Sequence, residues 1–128
     1  MNGDHRDLHL SLRRQRQMCI RDRNIPDEYV RHFLRGLFDG DGNFNHRGKY
    51  ESIVTITNTR ATCDWILSTT RRFLGVGGGV YDRKRCNVSD WKLGGRRQVQ
   101  MFVKWIYNGA VRYLSRKRDK FINRGFQV

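Results

Sequence analysis

Apolar residues recur at Val30, Phe33, Leu34, Leu37 and Phe38, a spacing of three and four that predicts a helix. Pro26 followed by Asp27 and Glu28 suits its start, since proline lacks an N–H and acids favour the positive end of a helix. Asn43 to Arg47 reads as a short strand turning at His46-Arg47-Gly48. Lys49 to Asn58 is rich in β-branched residues and free of Gly and Pro, so it predicts the strand that completes a hairpin. Thr59 then caps a helix over Arg60 to Leu74, with Trp65, Ile66 and Phe73 inward, Arg71 and Arg72 outward, and Gly75 as the stop.

The glycine run Gly75 to Gly79 lacks the Lys-Ser/Thr that follows a phosphate-cradling loop, so it reads as a connection between helix and strand. Val80 to Arg85 and Val88 to Leu93 form a second hairpin, turning near Cys86-Asn87 and broken by Gly94 and Gly95. Val99, Phe102, Val103 and Ile106 carry a helical period up to Asn108-Gly109. Tyr113 to Ile122 predicts a last short helix with Leu114, Phe121 and Ile122 inward. The order is α-β-β-α-β-β-α plus a terminal helix. That order predicts an α+β domain over residues 25–128, with one four-stranded antiparallel sheet and its helices on one face.

Such a sheet leaves its other face open, and alternation assigns the residues on it. Asn45 and Arg47 share that face on the first strand, and Lys49, Glu51 and Thr55 on the second. Tyr81, Arg83 and Arg85 share it on the third, and Asp90 and Lys92 on the fourth. Long hydrogen-bonding side chains of both signs with a cationic excess suit the donors and acceptors of the major groove, while Arg and Lys also reach phosphates. The competing reading is a plain solvated sheet face.

Charge supports the first reading. The 128 residues hold 26 Lys plus Arg against 12 Asp plus Glu, a net +14. A surplus of that size points to a polyanion, with double-stranded DNA or another nucleic acid ahead of an acidic membrane. No apolar run is long enough to cross a bilayer and no signal peptide is visible. A cytoplasmic or organellar-matrix location follows, with no membrane partner and no secretion. Cys19, Cys63 and Cys86 are odd in number without CxxC spacing, which argues against a disulfide framework or a zinc finger.

Residues 1–24 show no period. They hold six Arg and three Asp, so the remaining residues carry +11 of the +14. Arg13 to Arg23 resembles translated sequencing-adapter read-through, which implies that this tail is not native; the other reading is a disordered basic arm touching phosphates. His5 and His9, four apart, make a weak ligand pair.

The chemistry concentrates where the first helix ends in Asp39-Gly40-Asp41-Gly42. One glycine would stop a helix; this run instead brings carboxylate and backbone carbonyls to one point, as a hard divalent cation needs. Gly36 and Gly40, four apart, leave one helix face bare. The nine residues Leu34 to Gly42 resemble the signature of the LAGLIDADG homing endonucleases, matching it at Leu34, Gly36, Leu37, Asp39, Asp41 and Gly42 and departing at Arg35, Phe38 and Gly40. With no second such run, the chain resembles a single-motif, homodimeric member.

That resemblance implies a saddle-shaped sheet over DNA and a dimer through the signature helices at Phe33, Gly36, Leu37 and Gly40. It implies a near-palindromic site cut by Mg²⁺- or Mn²⁺-dependent phosphodiester hydrolysis. Asp41 and the Gly40 carbonyl are the implied metal ligands. Asn58 falls where a polar residue orders the attacking solvent, Lys117 where a lysine stabilises developing charge, and Asp39 takes a structural role. The runner-up is a LAGLIDADG protein that binds nucleic acid without cutting it, either a DNA-binding regulator or a maturase on intron RNA.

Overall fold

The computed structural model describes residues 25–47, 51–84 and 86–128. The expectations for the N-terminal tail, Lys49 and Arg85 lie outside these residues, as does the side chain of Arg47.

Helix α1 (Asp27–Asp41) carries Asp27 and Glu28 in its first turn, where their charge suits the exposed N–H groups. It buries Val30, Leu34, Leu37 and Phe38, with Leu34 and Phe38 wholly enclosed. The chain then enters strand β1 (Gly42–Arg47) without a loop, and this abrupt passage explains the last glycine of the signature. A Cβ on Gly42 would run into the Phe38 ring and the Phe38 carbonyl oxygen.

Strand β2 (Glu51–Asn58) pairs antiparallel with β1 and, on its other side, with β4 (Ser89–Gly94). The short β3 (Gly79–Asp82) pairs antiparallel with β4 at the edge, giving the order β1-β2-β4-β3. Alternation divides the sheet cleanly. Phe44, Val54, Ile56, Trp91 and Leu93 point into the core. The register sets Asn43, Thr55, Lys92 and Gly79 in one row across the opposite face, with Thr57, Asp90 and Tyr81 in the next.

Helices α2 (Arg60–Leu74), α3 (Arg96–Tyr107) and α4 (Ser115–Asn123) join α1 on the apolar face. Thr59 caps α2 by accepting from Thr62 N, and Gly75 closes it in the left-handed conformation (φ 67°) that glycine adopts without a Cβ penalty. The core runs through Ile66, Phe102, Val103, Ile106 and Phe121, each fully buried. The fold is therefore the expected α+β layer: four helices on one face of an open antiparallel sheet, among the described residues.

Three local expectations fail. Leu114 and Ile122 are 44% and 41% exposed; α4 is short and only Phe121 is carried into the core. The third strand ends at Asp82, so Arg83 already belongs to the turn, although its N–H still reaches Val88 O at 3.2 Å. The last helix begins at Ser115 rather than Tyr113. Among the described residues, no helix is long and apolar enough to cross a membrane.

Candidate functional site

The end of α1, the end of β2 and the first turn of α4 meet at one place, and the polar residues predicted from the sequence meet there with them. Asn58 Nδ2 donates to Asp41 Oδ2 at 2.9 Å. Asn58 Oδ1 accepts from Thr59 N at 2.7 Å, and since only the carbonyl oxygen can accept from an N–H, the amide is fixed with its nitrogen toward Asp41. Lys117 Nζ donates to Phe38 O at 2.9 Å and to Gly42 O at 2.6 Å. These two carbonyls flank Asp41 where the negative end of the helix dipole lies. Burial pushes the Lys117 amine below its ordinary range, with Asp39 and Asp41 pulling the other way.

Asp39 faces elsewhere. It accepts from Tyr107 Oη at 2.7 Å and from Leu114 N at 3.0 Å. Burial, then the hydrogen bond and charge of Asp39, push the Tyr107 phenol well above its usual value, so it remains a proton donor. Arg35, one of the departures from the signature, is buried. Its Nε donates to Arg112 O and its guanidinium nitrogen Nη1 to Ile106 O, both at 2.9 Å, and these bonds tie down the end of α3.

Among the described residues, nothing covers the opposite side of α1. Phe33, Gly36, Leu37 and Gly40 line a groove of about 330 Å³ together with His32 and Asp41. Among the described residues, nothing lies within 4 Å of a Cβ placed on Gly36 or Gly40. Leu37 is nevertheless mostly buried, so it serves the core as well as the groove.

On the open sheet face, Asn45, Glu51, Tyr81, Arg83 and Lys92 are exposed and Thr55 is half-buried. Asp90 is only 8% exposed, unlike the free contact that alternation suggested. Its carboxylate accepts from Thr57 Oγ1 at 2.5 Å and from Arg83 Nε at 3.0 Å. Burial works against charge on Asp90, but the bonds from Arg83 and Thr57 outweigh it and hold the carboxyl below its usual range. The pairing of Arg83, Asp90 and Thr57 was invisible in the sequence, because the three meet only through the register of β2, β4 and the turn after β3.

The donor set at Asp41 can be tested against a divalent cation. No group of three or more His, Cys, Asp or Glu stands together among the described residues, so these residues build no self-contained cage. Mg²⁺ does not ask for one: it keeps several waters and takes one or two carboxylates with substrate phosphates. Asp41 with neighbouring backbone carbonyls, all oxygen donors at a helix C-terminus, fits that requirement.

A family model of the LAGLIDADG-like domain matches residues 28–75. No curated protein matches the chain by sequence. Among solved structures, the homing endonuclease I-CvuI in complex with its target is similar at 24% identity over 73% of this chain and 62% of that one (TM-score 0.53). An archaeal intron-encoded homing endonuclease complexed with DNA is similar at 12% identity over 77% of this chain and 67% of that one (TM-score 0.57). The N-terminal LAGLIDADG domain of WhiA is similar at 18% identity over 59% of this chain (TM-score 0.51). The chain spans 62% of the I-CvuI chain and 39% of that WhiA chain. The six signature residues, the matched domain around them and the fold that encloses both agree: residues 28–75 carry a LAGLIDADG-like domain, and the chain has the fold seen in LAGLIDADG homing endonucleases.

Proposed function

We propose that the protein is a sequence-specific, double-strand DNA endonuclease of the homing type. It would act as a homodimer on a near-palindromic site of roughly 20 bp, about one helical turn per half-site. The observation that carries this reading is the convergence of Asp41, Asn58 and Lys117 at the end of the signature helix. A protein that only binds nucleic acid could dispense with a carboxylate and an ammonium held within one small site.

Each residue takes a part in this reading that its bonds are compatible with. Asp41, with the Gly40 carbonyl beside it, would hold the divalent cation. Asn58 orients the Asp41 carboxylate, and keeps one amide proton and one lone pair for ordering solvent. Lys117 has spent two of its three N–H groups on Phe38 and Gly42; the third remains for a phosphate oxygen as negative charge develops. Mg²⁺ or Mn²⁺, when bound, neutralises the scissile phosphate and acidifies water. Likeness to I-CvuI, crystallised in the presence of Ca or Mg, supports that choice of cofactor.

The bare α1 groove supports dimerisation through Phe33, Gly36, Leu37 and Gly40. The described residues offer one such carboxylate, and a second copy packed there would bring its own Asp41 close. Asn45, Glu51, Thr55, Tyr81, Arg83 and Lys92 form the described part of the DNA-reading face, with Asp90 fixing Arg83. Arg47, Lys49 and Arg85 would extend it. A cytoplasmic or organellar compartment and a mobile element such as an intron are the setting this activity implies.

The likeness to the WhiA domain favours a second reading, nucleic-acid binding without cleavage, on DNA or on intron RNA. One experiment separates them. The protein is incubated with a randomised-site DNA library in Mg²⁺, and cut ends are sequenced alongside the bound, uncut fraction. A recurrent cut site supports the endonuclease; enrichment without cutting supports the second reading.

A further inference from the structure

The signature holds two acids, and the proposed reaction uses only the second. Asp39 is half-buried, and both of its oxygens are engaged away from Asp41. Tyr107, the last residue of α3, donates to one, and the N–H of Leu114 to the other. Leu114 is the residue from which α4 starts: its carbonyl accepts from Lys117 N and Arg118 N, both at 3.1 Å. No side chain caps α4 locally and no acid lies in its first turn. The carboxylate that holds this helix start therefore comes from α1.

Lys117 sits in that first turn and returns to α1, donating to Phe38 and Gly42. The connections form a ring: Asp39 to Leu114, through one helical turn to Lys117, and back to carbonyls on either side of Asp39. A lysine has a flexible four-carbon stem, so its ammonium stays at one point only if its backbone is fixed. Arg35 and Arg31 brace the same connection from the preceding turns of α1, on Arg112, Ile106 and Asn108 carbonyls. Neither bonds the α4 start itself.

We propose that Asp39 is a positioning residue for Lys117: by holding Leu114 N and Tyr107 Oη it sets the start of α4 where the lysine ammonium reaches the carbonyls beside Asp41. This rests on the endonuclease reading for its consequence in turnover, though not for the placement itself.

The test is a mutant cycle. Asp39→Asn replaces one acceptor with an N–H₂ group, so the bond to Tyr107 Oη must reverse its direction or break, and the negative charge that holds Leu114 N is lost. The expected result is a fall in kcat of about 10- to 100-fold, the range for residues that orient a metal-site group, with KM for DNA unchanged. In a Lys117→Met background the same substitution should cost nothing further, because two residues acting as one unit are not additive. Multiplicative losses would overturn the proposal, as would a rise in KM with kcat intact. Should Asp39→Asn melt well below the parent, Tyr107→Phe removes one bond to the same carboxylate and takes its place in the cycle.

A second readout needs no cleavage. In ¹³C-lysine-labelled protein, the Lys117 ε-methylene signal should stand apart from those of exposed lysines and move to their position in Asp39→Asn. A protein that never cuts but shows this movement refutes the endonuclease reading and upholds the placement. A Lys117 signal indifferent to Asp39→Asn overturns the placement, whatever the nuclease assay shows.

Discussion

Asn58 Nδ2 lies 2.9 Å from Asp41 Oδ2, and this bond joins the last residue of β2 to the last residue of α1. The sequence separates the two by 17 positions. Sheet and signature helix are thus coupled at the point where the proposed chemistry occurs. Removing that coupling should act on turnover before it acts on binding. Asn58→Ala is expected to slow cleavage about 10- to 100-fold, as loss of a group orienting a metal ligand does. Single-turnover rates at saturating DNA measure it; an unchanged rate would remove Asn58 from the site.

Asp41→Asn should end detectable cleavage in Mg²⁺ while largely sparing DNA affinity, because phosphate contacts supply most of the binding. Electrophoretic mobility shift and cleavage assays on one duplex check both halves. Comparable cutting by the variant would exclude Asp41 from the mechanism.

Gly36→Leu should convert a dimer into a monomer with little change in melting temperature. Among the described residues, space is open above Gly36, so the fold has room for the side chain while a partner helix would not. Sedimentation gives the answer. A dimer that still cuts places the interface elsewhere.

Arg83→Ala should relax base preference at one position in each half-site, at a cost of about 1–3 kcal/mol. Arg71, on α2 behind the sheet, should do little when replaced by Ala. Profiling the target site in both variants decides the matter: an unchanged profile for Arg83→Ala means that DNA does not lie on this part of the face.

The Arg83–Asp90–Thr57 contact also fixes a pH dependence. The Asp90 carboxyl titrates below its unfolded value because the Arg83 and Thr57 bonds overcome burial. Its stabilising contribution is therefore present above the ordinary aspartate pKa of about 3.9 and lost as pH falls through the lower folded value. Urea titrations across that range should show the parent losing stability and Asp90→Asn losing less of it.

Arg35→Met should cost stability rather than activity. The substitution keeps the buried stem and removes the donors to Ile106 and Arg112, leaving two carbonyls unpaired at about 1–3 kcal/mol for the buried one. A variant as stable as the parent would show that water satisfies both.

What the sequence determined by itself was everything local or periodic. The spacing of Val30, Leu34, Leu37 and Phe38 fixes which side of α1 is buried, because a helix repeats every 3.6 residues. Alternation in β2 separates Val54 and Ile56 from Thr55, because a strand repeats every two. The signature residues from Leu34 to Gly42 carried the resemblance to the LAGLIDADG proteins. Strand ends were less legible: nothing in Val80 to Arg85 marks where pairing stops, since the last ladder bond depends on the partner strand. Leu114 and Ile122 were misplaced because an apolar residue says that burial is favourable, not that a nine-residue helix has room to bury both its ends. Only the tertiary structure decided that Asp90 spends itself on Arg83, that Arg35 reaches the Ile106 carbonyl in α3 and the Arg112 carbonyl beyond it, and that Asp39 reaches Leu114 across 75 positions. Such polar contacts have no period. Each is selected by which donor and acceptor the packed core happens to leave within 3 Å of one another, and a buried polar group takes the partner it finds there because leaving it unpaired costs more.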